Sequence, residues 1–501
     1  MALPPVRQSV VMTLELDDIQ GLLARGYGRL RAAHFSLFAA ADAPAARALL
    51  TWLLPRLTTA GAAPENAAWN VAYTPAGLRR LGLPQSVVDT FSAEFTAGMA
   101  DPNRSRILGD LDESAPHHWT WGGPNSPPFD GMILLYAADP ATLARLRAEL
   151  RRTLEDVGVR TVADLETLEL GDTEPFGFRD GISQPLIDGL TKDVRGGRAV
   201  PAGEFVLGYR NAYGLLTDRP LLPPSRDPGR LLPSDPGGSG AADLGHNGSY
   251  LVVRQLAQDV DGFWRYAEGA TRRPDGSADP QAKVALAAKM VGRWPSGAPL
   301  VKAPDRDDPL LATDNDFAYQ DTDPLGHACP LGAHVRRVNP RDTLDPSPGT
   351  DASLEVNDRH RLLRRGRSYG PSAQGAAGED PGPDTGLHFM CLAGNLSRQF
   401  EFVQHTWLNN PTFHGLYDDT DPLVGSRHCS GEEFTVPALP VRRRYRGLPQ
   451  FVRTRGGAYF FLPGISALRY LEQLPASFVA GLGEPKRIQL VAPDTTERTA
   501  N

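Results

Sequence analysis

At 501 residues, 41% of them hydrophobic, the chain has the apolar material for a large core and a length that favours two or more compact units, or one large duplicated domain. A formal charge of −7 with acidic and basic residues interspersed excludes a basic face for nucleic acid or anionic lipid. No segment approaches the ~18 apolar residues of a membrane span, the start lacks a signal-peptide pattern, and Cys329, Cys391 and Cys429 show no metal-type pair spacing, so buried thiols and a cytoplasmic setting are expected.

Taken in order, "SVVMTLEL" (9–16) reads as a strand leading into "DDIQGLLARGYGRL", and Asp42 reads as the N-cap of a helix over "APAARALLTWLLPRL". "AWNVAY" is strand-like and stops at a Thr-Pro helix start. "GMILLYA" followed by "DPATLARLRAELRRTLED" repeats the order of strand, cap and amphipathic helix. Residues 219–248 are dense in Pro, Gly and Ser and divide the chain into an N-terminal half, 1–218, and a C-terminal half, 249–501. Beyond them "SYLVVRQLAQDVDGFW" gives a strand and a helix, and its match to "VMTLELDDIQGLL" hints at duplication. A strand at "GLHFMCLAG", a helix over "LSRQFEFVQHTWLN", a surface loop from Gly370 to Gly386, a Gly-Gly hairpin in "FVRTRGGAYFFLP" and a closing helix in "SALRYLEQL" complete an α+β pattern.

Three stretches carry residues suited to chemistry. "FGFRDGISQP" sets Asp180 in an apolar frame between Gly177 and Gly181, glycines that allow torsions a Cβ would oppose. "HACPLGAHVRRVNPRD" places His334 ahead of Arg336, Arg337 and Arg341. A neutral imidazole can ligate a metal while guanidiniums hold an anion, although this segment alone reads better as a histidine satisfied by a carbonyl beside solvated arginines. "RHRLLRRGRSYGP" is a basic cluster ending at a glycine turn. The eleven histidines contain no H-E-x-x-H, so zinc hydrolysis has little support.

Together, "GFRDG", "CPLGAHVRRVNPR" and "LLRRGRSYG" resemble, in the same order, the conserved segments of the dye-decolourising peroxidases, in particular the longer members without a secretion signal. "DIQGLLARGYGRL", "QFEFVQHTWLNN" and "GGAYFFLPGISAL" extend the resemblance over nearly the whole chain. It implies two ferredoxin-like halves, antiparallel sheets with peripheral helices, of the dimeric α+β barrel superfamily, and one non-covalent haem b per chain. It further implies peroxide-driven, one-electron oxidation of dyes, phenols and other aromatic donors through high-valent iron, with homo-oligomerisation left open.

Residue by residue, the resemblance implies Asp180 as distal acid/base, Arg364 rather than Arg365 as distal arginine, and His334 as axial iron ligand. Asp421 would be its acceptor, with Asp418 and Asp419 close by in "DDTDPLVG". Gly177 and Gly181 would let the chain approach the macrocycle, with Phe176 and Phe178 packing nearby, and Arg336 and Arg341 are the candidates for haem propionates. Trp407 and Tyr369 are nameable as surface relays for bulky donors, with core filling as the plainer reading of both. The competing expectation is a haem-binding or haem-handling protein without significant turnover.

Overall fold

The computed structural model describes residues 13–191, 198–371, 385–428 and 432–474. The N-terminal half contributes β1 (Ala32–Ala40), α1 (Ala43–Leu53), β2 (Ala67–Tyr73), α2 (Pro75–Leu81), β3 (Gly131–Ala137), α3 (Pro140–Asp156) and β4 (Val159–Glu166). The side chains of Asp42, Thr74 and Asp139 accept the Ala45, Gly77 and Thr142 amides, satisfying donors that open helix starts leave free. The C-terminal half contributes β5 (Ser249–Gln258), α4 (Val260–Ala270), α5 (Pro280–Val291), the short α6 (His334–Val338), β6 (Leu363–Arg364), β7 (Arg367–Tyr369), β8 (Gly386–Ala393), β9 (Val452–Leu462) and α7 (Ile465–Glu472). Residues 397–408 are largely π-helical, a winding common at functional sites.

One antiparallel sheet runs β6–β8–β5–β9–β2–β3–β1–β4, with β7 also paired to β8. Within each half the strand order is second, third, first, fourth, the ferredoxin-like arrangement, and the halves join through the single pair Phe461 and Tyr73. The sheet curls until its ends meet, where the Leu168 amide donates to the Ser368 carbonyl at 2.8 Å and His388 Nε2 reaches the Glu166 carbonyl at 3.0 Å. Phe35, Leu134, Val253, Met390 and Phe460, from five strands of both halves, fill the inside of the curl. On the outer face of the N-terminal half, Leu49 and Leu50 of α1 and Leu146 and Leu150 of α3 pack onto Val71, Ile133 and Leu135. Each such leucine contributes about 1.5–3 kcal/mol of burial.

Several expectations change. Residues 9–12 lie outside the described residues and 13–16 are not strand, so in strand order the counterpart of β5 is β1 rather than the segment it matches in sequence. The Gly-Gly pair does not turn a hairpin. Gly456 and Gly457 lie inside the continuous strand β9 at a register shift, where a Cβ on the first would stand 2.4 Å from Trp121 Nε1 and on the second 2.6 Å from Met99 Sδ. The Pro/Gly-rich stretch is pinned by buried Arg219 between Asp235 and Asp243, and its Leu222, Leu232 and Leu244 enter the outer core. Residues 372–384 of the expected surface loop, and Cys429, fall outside the described residues, while Cys329 and Cys391 are buried and free. Among the described residues no helix is long and apolar enough to cross a membrane.

Candidate active site

In the C-terminal half the outer face of the sheet is not fully covered by helices. Arg254, Leu256 and Gln258, alternate residues of β5, form the floor of a cavity of about 530 Å³ together with Leu387 and Phe389 of β8 and Val452 and Thr454 of β9. That volume lies within the roughly 300–1,000 Å³ usual for cofactor sites. His334, Val335 and Val338 of α6 and Val403 and Leu408 of the π-helical segment supply helical wall. The turn from Glu174 to Ser183 and the Arg361–Arg364 segment supply the rest discussed here.

His334 opens α6, and its Nδ1 lies 2.9 Å from Asp421 Oδ2. Asp421 is fully buried, and its Oδ1 accepts the Leu423 and Val424 amides at 2.9 Å each. Burial opposes ionisation of this carboxyl, but the hydrogen bond from His334, the Val424 amide and Arg337 hold it below the usual carboxylate range. A carboxylate acceptor fixes the proton on Nδ1, leaving Nε2, which makes no hydrogen bond among the described residues, with a lone pair in a cavity-lining side chain. Of the neighbouring acids, Asp419 accepts the Thr435 amide and hydroxyl instead, and Asp418 stands at a positive φ of 67°.

Asp180 reaches the same cavity from the loop that follows β4. Gly177 and Gly181 take φ values of 93° and 80°, which is why the turn needs glycine, yet neither lines the cavity. The expected close approach of these glycines to a macrocycle is therefore replaced by a conformational role. Phe176 and Phe178, which also line the cavity, anchor the turn, Phe176 against Phe263 and Phe178 stacked on Trp264. Asp180 Oδ1 accepts the Gly181 amide at 2.6 Å and Arg364 Nη1 at 3.0 Å, and Oδ2 takes no hydrogen bond among the described residues. The carboxylate is 44% exposed and lines the cavity. Burial opposes its charge, and Arg364 and the Gly181 amide outweigh that and keep it below the usual value. Arg365, the second arginine of the pair, turns away and donates to the Leu22 and Leu23 carbonyls.

Arg336 and Arg341 do not line the cavity. Arg336 spends its guanidinium on Asp323 and the Cys329 carbonyl, and Arg341 donates to the Asn315 and Phe317 carbonyls with its guanidinium 3.7 Å over the Phe317 ring. Arg337 is likewise committed to the Trp407 and Asn410 carbonyls. These arginines brace the histidine segment, because polar groups buried so fully must find partners. The cation overlooked in the sequence is Arg361, which lines the cavity and whose guanidinium makes no hydrogen bond or ion pair among the described residues. Burial lowers its pKa to about 10, so it stays charged near neutrality. Glu174 and its partner Gln258 were overlooked as well, and both line the cavity. Trp407 and Tyr369 are only 4% and 8% exposed, Tyr369 stacking on His388, which fits core packing rather than a surface relay.

The same fold recurs in known proteins. The chain is 32% identical over 500 residues to a dye-decolorizing peroxidase of Exidia glandulosa, an alignment covering 93% of this chain and 89% of that one. The chain belongs to the dye-decolorizing peroxidase family. A multifunctional dye peroxidase of an Amycolatopsis strain is 33% identical over 369 residues, covering 70% of this chain and 73% of that one. Among solved structures, the fungal dye-decolorizing-type peroxidase of Auricularia auricula-judae superposes with a TM-score of 0.73 at 27% identity, over 92% of this chain and all of that one. A dye-decolorizing peroxidase in complex with 2,6-dimethoxyphenol superposes with a TM-score of 0.71 at 29% identity, over 91% and 98%. No protein-family profile matches the chain. Its activity class is that of the family, a haem peroxidase.

The residues fit a haem. Among the described residues no group of three His, Cys, Asp or Glu side chains could hold a bare metal ion, whereas a single braced imidazole facing a largely apolar cavity suits an iron whose other ligands come from a macrocycle.

Proposed function

We propose that this protein binds one non-covalent haem b per chain in the cavity over β5 and uses hydrogen peroxide to oxidise phenolic and dye-like donors. The observation that carries the reading is the facing of two prepared groups on one cavity: His334 with a free Nε2 braced by Asp421, and Asp180 paired to Arg364. His334 Nε2 would hold the haem iron and Arg361 would be the cation available to a propionate. Haem, when bound, supplies the iron that accepts oxidising equivalents from peroxide and passes them on in one-electron steps.

The chain's own part is the handling of protons and charge. One H2O2 and two donor molecules that each give up a hydrogen atom yield two waters and two donor radicals, so a proton must move from one peroxide oxygen to the other before water can leave. Asp180 Oδ2 is the free atom that takes and returns it, while Oδ1 stays on the Gly181 amide and Arg364. Arg364 stays cationic and stabilises negative charge developing on the departing oxygen. A lowered Asp180 pKa keeps this base ionised well into acid, which supports donor oxidation at acidic pH. A haem carrier without turnover would need neither Asp180 nor Arg364. Replacing His334 by Ala tests the ligand: loss of haem or of the normal absorption spectrum is expected, and full haem retention with an unchanged spectrum would refute it.

A further inference from the structure

We propose that Glu174 is a positioning residue for Asp180: as a neutral acid it leaves Asp180 as the carboxylate charge answering Arg364, and on ionising it sets a second negative charge against that pair. The proposal rests on the peroxidase reading and deepens it.

Both carboxyls sit on one turn, tied by Glu174 N to Phe178 O at 2.9 Å, Gly177 N to Glu174 O at 2.8 Å and Asp180 N to Asp172 O at 3.2 Å, and both line the cavity. Glu174 Oε1 accepts the Phe178 amide at 3.0 Å, and Oε2 accepts the Phe176 amide at 3.0 Å and Gln258 Nε2 at 2.8 Å. All three donors are neutral. Most of the cavity's cations are engaged elsewhere: Arg254 with Asp110, Arg293 with the Gly297 and Asp314 carbonyls, Arg179 facing Asp172, Arg364 with Asp180, Arg453 with Glu113 and His428 with Asp112, while the unpaired Arg361 feels Arg341, Asp358 and Arg364. His334 is held by Asp421, and Arg427 by Thr420 and the Gly425 and Asp421 carbonyls. No ion pair joins any of them to Glu174 among the described residues.

A buried carboxyl with neutral donors behaves differently from one beside a guanidinium. Burial pushes Glu174 up to about 7, its three hydrogen bonds offset only part of that, and the Asp180 charge adds to it, whereas Asp180 is held below its usual value. Two carboxyls driven apart on one cavity are the pattern that separates proton-holding from proton-accepting roles. Ionised Glu174 would oppose the negative charge that Arg364 has to stabilise during peroxide cleavage. The reaction should therefore slow as the pH rises through neutrality.

The test is stopped-flow reaction of the haem-loaded wild type and Glu174→Gln with peroxide from about pH 5 to 8, alongside thermal unfolding over the same range. The wild-type rate constant is expected to fall about threefold to tenfold through an inflection near 7, the size of a single like-charge interaction, and the inflection should be missing in the variant. Wild-type stability relative to the variant should also fall over the window between the ordinary glutamate value and about 7, because the folded state there binds the extra proton. An inflection retained in Glu174→Gln, or a change by one constant factor at every pH, would overturn the proposal. Should the variant not fold, the infrared band of a protonated carboxyl in the wild type decides: its loss near pH 7 supports the proposal, and its absence at pH ~5 refutes it. A wild type that binds no haem or ignores peroxide fails the functional reading. One that reacts but shows no such titration fails Glu174 alone.

Discussion

Asp421→Asn changes one atom of the histidine brace and leaves its geometry in place. Asp421 uses Oδ1 for the Leu423 and Val424 amides, which an asparagine oxygen can keep accepting, and uses Oδ2 only for His334 Nδ1. In the variant an amide NH2 would face Nδ1. The imidazole would then place its lone pair on Nδ1 and its proton on Nε2, the atom that has to bind iron. Coordination would require the opposite tautomer, with two donors pointing at each other in a site where Asp421 is 0% exposed. A buried donor left without an acceptor costs about 1–3 kcal/mol, which is roughly 5-fold to 150-fold in affinity. Loss of an outer partner of a metal-bound histidine falls in the same range, about 10-fold to 100-fold. Titrating haem into apoprotein and following the absorption band measures this directly. Circular dichroism of the variant checks that the turn is intact. Equal haem affinity and an unchanged spectrum in a folded Asp421→Asn protein would refute the tautomer argument.

Other consequences follow from the same geometry. Asp180→Asn should slow the reaction with peroxide by about 10²–10⁴-fold while leaving haem bound, as read by stopped-flow absorbance, and a near wild-type rate would remove Asp180 from the proton pathway. Donor oxidation in the wild type should persist into acidic pH, because Arg364 and the Gly181 amide keep Asp180 ionised there, and should decline as pH falls through its lowered value. Arg361→Met should act with opposite signs on the two forms: the apoprotein gains stability by losing a buried, unpaired cation, while haem affinity falls by roughly 10-fold to 150-fold, the worth of one charged hydrogen bond. Unchanged affinity by haem titration would take Arg361 out of the cofactor site.

Much of the fold was legible because periodic apolar patterns and side-chain caps are local signals. Asp42, Thr74 and Asp139 each begin a helix where the sequence placed one. The Gly-Gly pair of β9 misled because a turn and a close approach both call for glycine, and only the distant Trp121 and Met99 distinguish them. The same limit applies to the site. Asp180, His334 and Arg364 lie in three motifs in a fixed order and all three line the cavity, while Asp421, one of three neighbouring acids in "DDTDPLVG", braces His334. Arg336 and Arg341 sit in an equally conspicuous cluster, but the partners that absorb them, Asp323, Asn315 and Phe317, lie well before them in the chain. Glu174 precedes "FGFRDG" by one proline and could have been flagged as an acid at the edge of that motif. Its elevated pKa comes from burial that no local pattern encodes and that the hydrogen bond from Gln258, 84 residues away, only partly offsets.

The central claim is peroxide turnover at the cavity shared by His334 and Asp180. Adding hydrogen peroxide and 2,6-dimethoxyphenol to the haem-loaded protein at acidic pH, while recording the absorption spectrum, tests it most directly. The account predicts a strong haem band that changes with peroxide, returns when the phenol is added, and accompanies two phenols oxidised per peroxide consumed. A colourless protein that takes up no haem, or a haem-bound protein that leaves the phenol untouched, would contradict it.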